Sequence, residues 1–296
     1  MIGTKQDGSH ALAKFIAKHQ PAIEHALEAN LPLAPPEIET QFNEAVRYLI
    51  FPGGKRLRPI LTMLGAELVG GNSENVMHAA AAVEFIHTSS LIFDDLPCMD
   101  NSAERRGRLS LHEQFGEGLS TLVGIGLLNH SYRLVTADAV NDPDRSVAAV
   151  LEIVNCVGPA GMVGGQSVDL AVQRAECRTC AARDTRHLQY LKTSSLIRLC
   201  LSLGAILTGA NQDELEHLSN FANCLGHSYQ ISDDIIDGDQ PGCPEGNSEK
   251  EQPLSLRKDL TLTTERAKSI LSDHFRPCEA RDCLHQLVDY VSQRSV

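Results

Sequence analysis

Two short stretches concentrate one kind of chemistry. "LIFDDLPCMD", residues 91–100, ends an apolar run in Asp94 and Asp95 with Asp100 close behind, and "YQISDDIID", residues 229–237, ends another in Asp233, Asp234 and Asp237. On a helix, Asp233, Asp237 and Asp234 fall at about 0°, 40° and 100°, within one sector, while Ile231 and Ile235 lie near the opposite side. Carboxylates this close repel, and a hard divalent cation with oxygen ligands relieves the repulsion. A solvated acidic face is the plain alternative for either cluster taken alone. Asp94, Asp95 and Asp100 would spread to about 0°, 100° and 240° on a straight helix, so they converge only if Pro97 ends or kinks it. Each cluster then reads as a half-site for magnesium, which keeps several waters and takes one or two carboxylates plus phosphate oxygens. Two half-sites facing each other across a bundle would hold one polyphosphate.

Cations stand in matching groups. "FPGGKRLRP" offers Lys55 and Arg58 beside two glycines, with Pro59 suited to the first turn of a helix, and a helix N-terminus flanked by cations is an anion site. "ERRG" adds Arg105 and Arg106, and "YLKTSS" adds Lys192 with the Thr193 hydroxyl. In a chain of net charge -12 such grouping points to phosphate. The same charge disfavours nucleic acid and anionic membrane surfaces as partners.

The first residues, "MIGTKQDGSH", show no basic stretch followed by an apolar core, and the nearest apolar run, "LIRLCLSLGAILTGA", carries Arg198. No secretory signal, no transmembrane segment and a cytoplasmic location are therefore expected. The nine cysteines are odd in number and scattered, as for buried thiols in a reducing compartment. Cys177 and Cys180 have zinc-ligand spacing but lack a second pair, and they are read as ordinary thiols.

The elements that must carry these groups are helices. Apolar residues recur at three- and four-residue spacing, without a period-two run between turn signals, so the fold class is all-α. The periodicity predicts helices over 9–30, 36–50, 59–69, 73–95, 108–115, 119–138, 145–156, 160–172, 184–209, 212–237, 260–273 and 277–292. "VMHAAAAVEFIHTSSLIF" and "LIRLCLSLGAILTG" are apolar on more than one side, as central helices are. With no repeat or long linker, residues 1–296 read as one domain; the polar, Pro- and Gly-rich segment near 238–253 reads as a mobile loop.

"GGKRLRP", "EFIHTSSLIFDDLPCMD", "RRG", "GGQSVDL", "YLKTSSLI" and "YQISDDIID", in this order over about residues 45–237, resemble the trans-isoprenyl diphosphate synthases, farnesyl and geranylgeranyl diphosphate synthases among them. The resemblance implies a bundle of about ten or more helices around a deep apolar cavity, usually as a homodimer, with three magnesium ions at the cavity mouth. It implies a first metal site at Asp94, Asp95 and Asp100 and a second at Asp233 and Asp237. Lys55, Arg58, His87 and Arg106 resemble the residues that hold isopentenyl diphosphate; Arg105, Lys192, Thr193 and Gln230 resemble those that hold the allylic diphosphate. Asp94, Asp95, Asp100, Lys192 and Asp233 would carry the catalysis, while Gln166 and Asp169 sit at the family's helix kink, relaxed by Gly164 and Gly165.

In that family a bulky residue five positions before the first aspartate stops chain growth early. Here the position holds Ser89, with Ser90 beside it and Phe85 one turn deeper, so growth is expected to pass Ser89 and stop at Phe85 with a twenty-carbon product. Phe93, Ser102, Ala103, Ile125 and Tyr229 depart from the usual pattern, and no glycine-lysine repeat follows Asp237. A non-catalytic regulatory partner of an active synthase and a terpene cyclase are the alternatives. The first is motivated by these departures, and the second is opposed by the form of "DDIID".

Overall fold

The computed structural model describes residues 11–38, 40–139, 141–173, 182–238 and 252–294. Most of them are helical: Ala11–Ala29 (α1), Phe42–Ile50 (α2), Leu57–Leu68 (α3), Met77–Asp95 (α4), Leu111–Phe115 (α5), Glu117–Ala137 (α6), Pro143–Val157 (α7), Met162–Gln173 (α8), Ala182–Thr208 (α9), Gln212–Gly238 (α10), Gln252–His274 (α11) and Glu279–Gln293 (α12). The expected loop near 238–253 and the Cys177/Cys180 pair lie largely or wholly outside the described residues.

Three boundaries depart from the sequence reading. The helix expected from residue 36 starts at Phe42; Asn43 instead exchanges hydrogen bonds with the backbone of Ala34 (2.7 and 3.1 Å), which ties the chain before α2 to the start of that helix. α11 begins two turns early because Pro253 sits in its first turn, where a missing N–H costs nothing. The helix expected over 108–115 is a hairpin followed by the short α5. Glu104–Arg105 (β1) pairs antiparallel with Arg108–Leu109 (β2). Arg106 (φ 55°) and Gly107 (φ 74°) supply the two positive φ angles that a two-residue primed turn requires.

α4 is the axis of the bundle, buried at every residue from Ala79 to Ser89 and packed against α3, α6 and α9. Its first turn is capped from the end of α6, where the Asp138 carboxylate accepts from the Ala79 amide at 2.8 Å and pairs with His78 at 2.6 Å. α9 packs on α3 and α10 with backbones nearly touching. A Cβ on Gly65 would stand 2.2 Å from the Leu201 carbonyl oxygen, one on Gly204 1.9 Å from that of Thr62, and one on Gly226 2.6 Å from Ser194 Cα.

Ser73–Asp95, Pro143–Ala171 and Leu191–Thr208 are long and apolar enough to cross a membrane by length and average composition alone, although polar residues interrupt each of them. Two of these windows are 67% buried within the bundle, and Gly158–Gly161 breaks the third between α7 and α8.

The glycine contacts generate a stability prediction. Gly204→Ala gains about 1 kcal/mol of helix propensity, yet its methyl meets backbone that no rotamer change can move, and overpacking costs up to about 3 kcal/mol. A net loss of about 2 kcal/mol is expected in urea unfolding; an unchanged midpoint would refute the close approach.

Candidate active site

The chain reverses directly after α4. Leu96 ends the helix, Pro97 follows, and the Asp100 amide donates to the Asp94 carbonyl at 2.9 Å while the Ser102 amide donates to that of Asp95 at 3.2 Å. Asp100 is thereby folded back beside the pair, and Asn101 takes the left-handed conformation (φ 50°) that the reversal needs. Asp94 and Asp95 are buried and Asp100 is exposed.

Each buried aspartate has a cation. Lys192 Nζ, from α9, donates to Asp94 Oδ2 at 2.7 Å and to Gln166 Oε1 of α8 at 2.6 Å. Arg105, at the edge of the hairpin, grips both oxygens of Asp95. Burial raises the Asp94 pKa and Asp100 raises it further, against the lowering by Lys192. Arg105 is held above its ordinary value chiefly by its hydrogen bond to Asp95.

Beside the aspartates lies a cradle of positive charge. His87, buried on α4, is held well below its usual pKa, first by burial and then by Arg58, Arg106, Arg105 and Arg56. The buried Arg58 Nε has no hydrogen-bond partner, and a Cβ on Gly54 would come within 3.4 Å of the Arg106 guanidinium. A neutral imidazole among arginines, one with a donor unused, suits an incoming anion. Arg108 fixes the hairpin: its guanidinium lies 3.8 Å from the Tyr48 ring and donates to the Tyr48 and Phe51 carbonyls at 3.2 Å each.

The second cluster ends α10. Asp233 is exposed and pairs with Arg294, beyond the end of α12, at 2.8 Å; Gln230 donates to Asp234 at 3.3 Å. Asp237 lies on the same helix, and its side chain is outside the described residues. Arg294 also bonds the Ser232 hydroxyl and the Tyr229 carbonyl. Burial pushes the Tyr229 hydroxyl up to about 12, and both Arg58 and Asp233 act on it electrostatically, which links the cradle to the second cluster. Lys55 Nζ stands 5.9 Å from the Tyr290 ring of α12. Thr193 follows Lys192 on α9, half-buried.

Below Asp94 and Lys192 runs an apolar cavity of about 310 Å³, a size at the lower end for small-molecule pockets. α4 contributes Ile86, Ser89, Ser90 and Phe93, a single stripe at helical spacing; Leu128, Met162 and Leu170 are among the facing residues. Phe85, expected as the floor, does not line this cavity. It lies about 40° beyond Ser89 around the helix, fully buried, its ring 6.2 Å from that of His130. Ile86 takes the deep position instead, about 12 Å along α4 from Asp94. Ser89 donates to the Gly124 carbonyl at 2.9 Å, and Gly124 has no side chain because Phe93 packs there, 2.8 Å from where a Cβ would be.

Among the described residues no three carboxylate, histidine or cysteine groups converge into a complete metal cage. The donor set is that of two partial oxygen sites: crowded carboxylates at Asp94 and Asp100, one disfavoured by burial, and a second group at Asp233 and Asp234. Magnesium shared with phosphate oxygens fits such donors.

Residues 39–242 match the polyprenyl synthetase family. The chain belongs to that family. It is 38% identical over 225 residues to geranylgeranyl pyrophosphate synthase 3, chloroplastic, of Arabidopsis thaliana, covering 75% of this chain and 62% of that protein. It is 40% identical over 227 residues to the chloroplastic geranylgeranyl pyrophosphate synthase of Capsicum annuum, covering 75% and 59%. The matches thus span about three fifths of these relatives' lengths. An apo crystal structure of an FPP/GFPP synthase from Zymomonas mobilis superposes with a TM-score of 0.84 at 30% identity, covering 96% of this chain and all of that one. A geranyltransferase from Legionella pneumophila gives 0.83 at 28%, covering 98% and 99%. The fold is the all-α isoprenoid synthase fold of these neighbours.

Arg56, Glu84, Arg108 and Arg294 stand in or against this site and escaped the motif reading. Glu84 had a signal, as a lone acid within an apolar run needs a buried cation. Arg294 had none, since nothing local ties a C-terminal arginine to an aspartate 61 positions earlier.

The depressed His87 pKa has a consequence for stability. Below its ordinary value of 6.5 the unfolded chain binds a proton that folded His87 refuses, so its contribution is complete above that pH and is lost as pH falls. The loss approaches about 1 kcal/mol per pH unit. Denaturant titrations between about pH 7 and 5 should show a shallower decline for His87→Gln than for the unaltered chain; equal slopes would mean His87 is not held neutral.

Proposed function

We propose that the chain is a short-chain prenyltransferase that condenses isopentenyl diphosphate head-to-tail with an allylic diphosphate, favouring geranylgeranyl over farnesyl diphosphate. The observation that carries the reading is an apolar cavity whose mouth is the Asp94–Lys192–Gln166 cluster, with a cationic cradle beside it. The allylic tail lies against Ser89, Ser90 and Phe93, its diphosphate at the mouth. Lys55, Arg58, His87 and Arg106 hold isopentenyl diphosphate. Asp94, Asp95 and Asp100 on one side and Asp233 and Asp237 on the other would hold magnesium, three ions in this reading, which would supply positive charge to the departing diphosphate. Lys192, Arg105, Thr193 and Gln230 donate to the same diphosphate as the allylic C–O bond breaks. The double bond of isopentenyl diphosphate then attacks the allylic carbon, and a proton leaves the new chain to the released diphosphate. Apolar walls keep water from the cation.

The residues on the cavity wall support the longer product. Ser89 and Ser90 leave room where bulk would stop the tail, and the plant relatives are named for geranylgeranyl diphosphate. Purified chain with magnesium, isopentenyl diphosphate and each allylic primer is expected to yield mainly twenty-carbon diphosphate, and Ser90→Phe to shift it to fifteen carbons or fewer. A cyclic hydrocarbon would indicate a cyclase, and silence until an active synthase is added would indicate a regulatory partner.

We further propose a homodimer of single-domain chains. Among the described residues one apolar cluster takes in side chains from Phe15 to Val291, with a small second one at Ile231, Ile235 and Leu260. Outside both, Leu122 and Ile125 of α6, Val147, Leu151 and Val154 of α7 and Val163 of α8 are each about half exposed, as a stripe awaiting an apolar partner. Ile125, where the resemblance leads one to expect an aspartate, belongs to this stripe. Ile125→Asp with Leu151→Asp should convert a dimer to a monomer in light scattering; an unchanged mass would exclude this face. A reducing compartment such as the cytoplasm accords with six free cysteines among the described residues, while the plant relatives are chloroplastic by name.

A further inference from the structure

Arg56 is the residue of "GGKRLRP" that no substrate role explains. It stands immediately before α3 in the left-handed conformation (φ 51°, ψ 34°), where glycine would be at ease and arginine is not. Its side chain is 1% exposed. Nε and Nη2 bind the two oxygens of Glu24 on α1 at 2.7 and 3.0 Å, Nη1 binds Glu84 on α4 at 2.8 Å, and Nη2 also donates to the Ile50 carbonyl at the end of α2 at 2.9 Å. The guanidinium fills the space above Gly53, where a Cβ would stand 1.9 Å from Cζ, so the first glycine of the motif is there for Arg56.

One side chain thus ties the junction between Lys55 and the first turn of α3, where Arg58 stands, to three other helices. Its partner Glu84 lies one turn before His87 and ten residues before Asp94 on the same buried helix. Lys55 and Arg58 flank Arg56 in sequence, so fixing the Arg56 backbone fixes where both begin.

We infer that Arg56 is a positioning residue that sets the isopentenyl diphosphate half-site in register with the first aspartate cluster, without touching either substrate. The inference rests on the proposed function, since it assigns isopentenyl diphosphate to Lys55, Arg58, His87 and Arg106. The planar fork is essential to the role: a lysine could hold one carboxylate but not Glu24, Glu84 and the Ile50 carbonyl together.

The test uses the full chain and three variants. Arg56→Gly suits the left-handed backbone and removes the strut, Arg56→Lys keeps only the charge, and Arg56→Met with Glu84→Gln removes the strut without leaving a buried carboxylate unpaired. Calorimetric binding of isopentenyl diphosphate is measured beside steady-state kinetics and melting temperature. Binding should weaken at least tenfold in Arg56→Gly and in the double variant, and by less in Arg56→Lys. The KM for isopentenyl diphosphate should rise in parallel while that for the allylic diphosphate stays within twofold. Loss of both affinities in proportion to melting temperature would make Arg56 merely structural and overturn the inference, as would unchanged binding in a folded Arg56→Gly. Should the unaltered chain fail to bind isopentenyl diphosphate, the functional reading falls and this inference with it.

Discussion

The constraint on which the rest of the structure depends is the presence of three carboxylates on a helix that water barely reaches. Glu84, Asp94 and Asp95 on α4 are 3%, 8% and 2% exposed. A buried charge left without a partner costs several kcal/mol, a large part of the stability a domain has. Each acid is met by a cation from a different element: Arg56 before α3, Lys192 on α9 and Arg105 on the hairpin. The ion pairs that make the fold tolerable are therefore also what gathers loop, hairpin and helices around one end of α4.

This arrangement separates two kinds of charge pairing. The Arg56–Glu84 pair is closed on both sides, at 1% and 3% side-chain exposure, and has no vacancy for a ligand. The Lys192–Asp94 and Arg105–Asp95 pairs are closed on the acid side only, their cations being 28% and 30% exposed. A cation bound to one carboxylate and partly open to solvent keeps donors that can reach an anion from outside, whereas a fully enclosed one does not. The two kinds of pair thus differ by solvent access, although both are arginine or lysine against an acid.

How much of this could be read from the chain follows the range of the interactions. Helical periodicity is local, and the elements around α4, α6, α9 and α10 stand within a few residues of where it sets them. The reversal at Pro97 was legible for the same reason: a proline after a helix is a local stop. The hairpin was not, because Arg106 adopts a positive φ that its identity disfavours and that Arg105 on Asp95 and Arg108 on Tyr48 hold from outside. Phe85 is absent from the cavity lining because counting turns along one helix says nothing of which neighbour each side faces; its ring lies 6.2 Å from that of His130 on α6. Arg294 on Asp233 joins positions 61 apart, beyond the reach of any motif.

The polarity of the helices gives the site a direction. α4 ends at Asp94 and Asp95, so the negative end of a 19-residue helix adds to two carboxylates in a buried setting. Burial and Asp100 already raise the Asp94 pKa, and both a proton and a divalent cation would relieve that repulsion, the cation with twice the charge. α3 does the reverse: its N-terminus, to which Arg56 makes no side-chain cap, follows Lys55 and carries Arg58 in its first turn. The two helix ends thus carry opposite signs: the carboxyl end of α4 favours a positive partner and the amino end of α3 an anion, so the helix dipoles act in the same sense as the side chains that stand at each end.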